Sequence, residues 1–147
     1  MNTNKKSARR NFLAGAGAAA AATAAATAAQ AAPPAVSGKV KAPGGYRIGN
    51  MYYSSGLTGT RGGVTGIKEQ TRATLDQHKK NLEEMGSSLD NVVKVTAFLA
   101  DVKAEKPAFN EAYAEYFKKD APARTALGAI FPDTQTRVEI ELVAWVP

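Results

Sequence analysis

The chain contains no cysteine. Disulfides, thiolate metal sites and cysteine nucleophiles are therefore excluded. Histidine is nearly as scarce, because the lone His78 cannot build a histidine-rich metal centre. It stands on the apolar stripe of a helical segment, with no acid at ligand or triad spacing, and reads as a packed structural residue. A Ser-His-Asp order, an HExxH element and a phosphate-binding loop are all missing, and no internal repeat is found. Gly59, Gly62, Gly63 and Gly66 make a flexible loop without the spacing of a dinucleotide fingerprint. What remains is chemistry that needs neither metal nor cofactor, or a binding role.

Positive charge thins out once it is located. The formal charge is +6, which suggests a nucleic-acid partner until it is divided along the chain. Lys5, Lys6, Arg9 and Arg10 lie close to the start, in a stretch without acids. Setting these four apart from the 19 Lys and Arg leaves 15 against 13 Asp and Glu, a charge of +2. A basic surface for nucleic acid is not implied.

Residues 1–31 read as a targeting segment. The run Ser7-Ala8-Arg9-Arg10-Asn11-Phe12-Leu13 leads into small and weakly apolar residues and resembles a twin-arginine export signal, with Ala8 where such signals usually carry Ser or Thr. Ala29-Gln30-Ala31 supplies a small-x-small cleavage site. The expectation is an exported, periplasmic domain without a stable membrane anchor, since Ala and Gly contribute little transfer free energy for spanning hydrocarbon. Residues 32–44, opening on Ala32-Pro33-Pro34, read as an extended linker, and 45–147 as one folded domain.

Within that domain the hydrophobic period alternates between two and 3.6. Tyr46–Ile48 and Met51–Ser55 read as a hairpin closed by Gly49-Asn50. Thr71, Leu75, His78, Leu82 and Met85 share one helical face over 70–85, stopped by Gly86. Val92–Leu99 alternates with Val93, Val95, Ala97 and Leu99 on its apolar side. Pro107 suits the first turn of a second helix, with Phe109, Tyr113, Tyr116 and Phe117 as a core stripe. Ala123–Ala129 and Arg137–Trp145 are closing strands around the turn Phe131-Pro132-Asp133. The order ββαβαββ predicts an α+β fold. On the last strand Val143 and Trp145 share a face with Glu139 and Glu141, which implies that another subunit covers part of the sheet face free of helices.

Two charged residues stand where chemistry is possible. Glu139 lies on a strand face that also holds apolar residues, where partial desolvation would make it a better proton acceptor; a plain exposed carboxylate is the alternative. Arg124, in Pro122-Ala123-Arg124-Thr125, could grip a carboxylate through two parallel hydrogen bonds, or be a surface arginine at a strand end. A hairpin through Phe131-Pro132 would set Arg124 and Glu139 opposite each other. Ser54, Ser55 and Gly56 end a strand, where a hydroxyl and a neighbouring amide could serve substrate oxygens or simply form a turn.

Several segments together resemble the Rid/YjgF family of reactive-intermediate deaminases, also known as the L-PSP endoribonuclease family. They are Gly49-Asn50-Met51 with Ser54-Ser55-Gly56, Gln70-Thr71, Asp90-Asn91-Val92-Val93-Lys94-Val95-Thr96, Phe109-Asn110-Glu111-Ala112-Tyr113, Pro122-Ala123-Arg124-Thr125 and Val138-Glu139-Ile140-Glu141. The resemblance implies a chorismate-mutase-like fold with a mixed sheet and two helices on one face, a homotrimer with sites between subunits, and no cofactor. It implies hydrolysis of enamines and imines to 2-oxo acids and ammonia. Arg124 matches the arginine that holds the substrate carboxylate and Glu139 the glutamate that positions water; Ser55, Gly56 and the Ala126 backbone match lining positions, and Asn110 a recurrent asparagine. Ala42 falls where the family commonly carries a tyrosine that lines the site. Two rival readings are a noncatalytic trimer that binds small carboxylates and a ribonuclease or translation inhibitor.

Overall fold

The structure, a computed structural model, describes residues 37–147. The targeting segment at 1–31, its cleavage site and the first residues of the linker lie outside this range. The end of that linker, by contrast, is sheet. Lys39–Ala42 form β1, paired antiparallel with β2 (Gly45–Ile48), and Ala42 faces Gly45 across the two-residue turn Pro43-Gly44. Gly44 has φ +64°, and proline followed by a left-handed glycine is a turn signal that the linker reading passed over.

The Gly49-Asn50 hairpin forms as expected. β3 (Met51–Ser54) pairs antiparallel with β2, Ile48 faces Met51, and Gly49 takes φ +58°. The Asn50 side chain donates to the Val146 carbonyl at 2.8 Å, and the Val146 amide to the Asn50 carbonyl at 2.8 Å. β4 is only Leu57–Thr58. α1 spans Ile67–Glu84, three residues ahead of the expected start, and Gly86 follows it at φ +75°.

β5 (Val92–Leu99) departs from strict alternation. A register shift between Val92 and Lys94 turns Val93 outward, and the buried set is Val92, Val95, Ala97 and Leu99. α2 (Val102–Ala114) begins five residues before Pro107, which therefore lies inside the helix and not in its first turn. The cap is Asp101, whose carboxylate accepts from the Lys103 and Ala104 amides at 3.1 and 3.0 Å. β6 (Ala123–Gly128) and β7 (Val138–Trp145) complete the chain.

The strands order as β1-β2-β3-β7-β5-β6, with β4 also on β7. β6 runs parallel to β5 and every other pair is antiparallel. This is the mixed sheet of an α+β fold. Both helices cover one face, where Leu75, Leu82, Phe109 and Tyr113 pack on Val95, Leu99, Ile140 and Leu142. β5 stands between β6 and β7, so the expected hairpin of the two closing strands does not form.

His78 belongs to that core. It is fully buried, its Nε2 donates to the Ile140 carbonyl at 2.8 Å, and Nδ1 has no partner. Burial outweighs that bond and pushes its pKa down to about 4. An unfolded chain takes up this proton as pH falls through about 6.5 while the folded one refuses it until about pH 4, so stability drops across that window. Urea denaturation at a series of pH values should show a loss of up to about 3 kcal/mol from this group. In His78→Gln that part of the slope should vanish, and an unchanged slope would contradict the assignment.

Candidate functional site

Glu139 reaches its position through a break in strand pairing. β3 pairs with β7 at Val143, Ala144 and Trp145, whereas β4 pairs at Glu139 and Ile140. Between the two, the Leu142 amide is left to the Ser54 hydroxyl, which accepts from it at 2.7 Å. Ser55 and Gly56 make the excursion between the strands. The Ser55 amide donates to the Gly44 carbonyl at 2.8 Å, so it is committed inside the protein, and its side chain is exposed. Gly56 lies against Glu139 so closely that a Cβ there would overlap the carboxylate. Glycine here is what lets the Glu139 carboxylate keep this position.

The Glu139 carboxylate, half-buried, has no hydrogen bond or ion pair among the described residues. It borders a cleft of about 470 Å³ reached from Gly56, Thr58 and Arg61 on one side and from Gln77 and Asn81 of α1 on the other. An unpaired carboxylate at the edge of such a space is a free acceptor for a water or a substrate N–H.

Arg124 is built differently. On the edge strand β6 it lies opposite Val95, a buried core residue, and so emerges on the helix-covered face. Its guanidinium lies 4.4 Å from the Tyr113 ring centre and 5.3 Å from that of Phe109, and Nη2 donates to Asn110 Oδ1 at 2.9 Å. These contacts hold the guanidinium beside the rings and leave it exposed. A hollow of about 440 Å³ lies beside it, lined in part by Asn110, Phe117 and Pro122. The Tyr113 hydroxyl is buried without a partner; burial pushes its pKa up to about 12, with the Arg124 charge acting in the opposite direction.

The expected site residues thus fall into two clusters. Arg124, Asn110 and Ala126 are together, with Ala126 half-buried and opposite Ala97 of β5. Glu139, Gly56 and Ser55 are together at the β3–β4 break. Glu139 lies opposite Phe98, three residues along β5 from the partner of Arg124, and three is an odd number of pleats. The two side chains therefore point to opposite sheet faces, and their strands are two spacings apart, roughly 10 Å. Within one chain they do not meet. Thr58, Arg61, Gln77 and Asn81 were missed by sequence reading. Only the tight Gly44-Gly45 and Gly56 positions hinted that chain segments crowd there, and a Cβ at Gly44 would overlap the Asn81 amide.

Fold and clusters together define a small α+β protein that carries an unpaired cleft glutamate and a clamped, exposed arginine. Residues 29–146 match the family described as Endoribonuclease L-PSP, and the chain belongs to that family, which includes the RutC and YjgF proteins. A RutC family protein of Pyrococcus abyssi is 40% identical over 79 residues, 54% of this chain and 61% of that protein. The match thus spans less than two thirds of that relative's length. The human protein named 2-iminobutanoate/2-iminopropanoate deaminase is 37% identical over 79 residues, 54% of this chain and 57% of its own. Among solved structures, yeast Mmf1 superposes with a TM-score of 0.64 at 34% identity, covering 79% of this chain and 93% of that one.

Gly56→Ala tests the geometry directly. The obstructed atoms are the far end of a flexible side chain, so the fold should survive with a melting temperature within about 4 °C of the parent. A crystal structure of the variant should show the Glu139 carboxylate swung away from residue 56. A carboxylate still in its original place would refute the close packing.

Proposed function

We propose that the protein hydrolyses small 2-imino acids, of the 2-iminobutanoate and 2-iminopropanoate kind, to 2-oxo acids and ammonia. The observation that carries this reading is the unpaired Glu139 carboxylate seated against Gly56 at a cleft. Arg124, clamped by Asn110 and the two rings, pairs with the substrate carboxylate through its free N–H groups. A water held by Glu139 attacks the imine carbon and passes a proton to the carboxylate as a carbinolamine forms. That proton goes to nitrogen to complete the carbinolamine; the carboxylate then relays the hydroxyl proton to nitrogen as well, so the C–N bond breaks, the C=O bond forms and ammonia leaves. Holding electrophile and water together removes much of an entropic barrier. The name of the human relative supports the same chemistry.

Because Arg124 and Glu139 point away from each other within one chain, the reading requires a second copy to bring its Arg124 cluster to this Glu139. A homotrimer with shared sites is part of the proposal, and export of the domain, read from residues 1–31, is another part. The helix-free face offers surface for assembly: Tyr53 and Trp145 are 46% and 45% exposed, and Tyr46 and Ile48 extend the patch.

Arg124→Ala should weaken binding of 2-oxobutanoate about ten- to a hundred-fold, measured by calorimetry. Glu139→Gln should keep that binding and lose turnover by about a hundred-fold or more, measured as ammonia released from freshly generated 2-iminobutanoate. Subunits of the two variants, mixed and reassembled, should regain up to about a quarter of the parental sites, since a shared site draws one residue from each of two copies. No recovery would place both residues in a single-chain site. Full activity in Glu139→Gln, or Glu139-dependent RNA cleavage without ammonia release, would overturn the function itself.

Trp145→Asp should shift light scattering toward a smaller species, because it puts an unpaired charge in the middle of an apolar contact. A parent protein that scatters as a stable monomer would end the assembly claim.

A further inference from the structure

The cleft beside Glu139 is more polar than an ethyl or methyl side chain needs. Leu57 and Ala73 are its apolar side chains; Thr58, Arg61, Gln77 and Asn81 supply hydroxyl, guanidinium and amide groups. Gln77 donates to Asn81 Oδ1 at 2.8 Å, and the Asn81 amide nitrogen is turned to the Tyr52 hydroxyl beside Gly44. A small apolar substituent would displace water from these groups without replacing its hydrogen bonds.

Arg61 differs from the other arginines of the described residues. Arg72 pairs with Glu115 and Glu69, Arg137 pairs with Glu105, Arg124 is bonded to Asn110, and Arg47 donates to the Gly49 and Val146 carbonyls. Arg61 has no hydrogen bond or ion pair among the described residues, yet it lines the same cleft as Glu139. Its backbone is held by a short helical turn in which the Gly63 amide donates to the Thr60 carbonyl at 3.3 Å. The glycines that follow, Gly62 and Gly63, have φ +78° and +73°. A free guanidinium at a polar cleft is suited to an anion, a carboxylate above all.

We propose that this cleft receives the substrate side chain and that Arg61 pairs with a second carboxylate there, so that the preferred substrates are 2-imino dicarboxylic acids, the imines of acidic amino acids. The proposal rests on the imine-hydrolysis reading of Glu139 and Arg124 and adds the chemistry of the side chain. Arg124 takes the carboxylate next to the imine carbon, Glu139 handles the water, and Arg61 selects the far end. The reaction is unchanged in its balance: water adds across C=N, the C–N bond breaks, and a 2-oxo dicarboxylate and ammonia leave.

The test compares 2-iminoglutarate with 2-iminobutanoate, each generated in place by an amino-acid oxidase, on the full assembled protein. Wild-type kcat/KM should favour the dicarboxylate by about tenfold or more, and Arg61→Met should collapse that ratio through a rise in KM for 2-iminoglutarate. Arg61→Lys, which keeps a charge but not the paired donors, should recover part of the preference. In parallel, 2-oxoglutarate should bind to Glu139→Gln more tightly than 2-oxobutanoate does, by calorimetry, and lose that advantage when Arg61→Met is added. Hydrolysis of both imines with equal or opposite preference, or a preference that survives Arg61→Met, overturns this proposal alone. Hydrolysis of neither overturns the function on which it stands as well.

Discussion

One buried amide sets the frame in which the glutamate is placed. Gln70, fully buried near the start of α1, donates from Nε2 to the carbonyls of Val64 and Gln135 at 3.1 and 2.8 Å. Its Oε1 accepts from the Arg137 amide at 2.8 Å. The loop that leads into α1 and the segment that leads into β7, far apart in sequence, are therefore fastened to one side chain. Leaving any of these groups unpaired in the interior would cost about 1 to 3 kcal/mol, so they act as a unit. Arg137 is the residue before β7, and the bond fixes where that strand begins. Gly59 presses against the Gln70 backbone with no room for a Cβ, so the glycine loop and the strand that carries Glu139 share one anchor.

From that anchor the site follows by what the sheet leaves out. β7 could have been paired along its whole length by one long neighbour. Instead β3 leaves it after Tyr53, the Ser54 hydroxyl takes over for the missing strand amide partner at Leu142, and β4 returns for two residues. The excursion at Ser55-Gly56 makes space where a regular ladder would have had none. A carboxylate beside a continuous strand would face either packed core or bulk water. Beside this break it is half-enclosed and unpaired, and polar side chains of α1 come within the same cleft.

Local patterns in the sequence carried the local structure. The Gly49-Asn50 hairpin, the stripe of α1, the aromatic core of Phe109 and Tyr113 and the inward face of β7 are all set by neighbours within a few residues or by a simple period. Strand order is not of that kind. Nothing in the spacing of Arg124 and Glu139 reveals that β5 inserts between their strands and runs parallel to one of them, because a long-range pairing leaves no mark on periodicity. Polar burial was hidden for a related reason. A search for apolar stripes passes over Gln70, Thr74 and Asn81, all buried in α1, since what makes their burial tolerable is hydrogen bonding. At α2 the cap residue was in plain view, as Asp101 stands where the strand stops, but the proline drew the boundary too late.

The separation of the two clusters has a physical logic of its own. An arginine and a glutamate placed within reach of each other in one chain would form an ion pair, and a substrate would have to break it before gaining anything from either. Here each is kept from that fate by the fold. The guanidinium rests on two aromatic rings and an asparagine that bears no charge, and the carboxylate rests on a glycine that offers no side chain at all. Both stay free for a ligand that is itself an anion at one end and an electrophile at the other. Under the proposed reading, assembly joins the clusters only across a cleft wide enough to hold that ligand between them, and the opposite sheet faces on which they stand make a second copy the means of doing so.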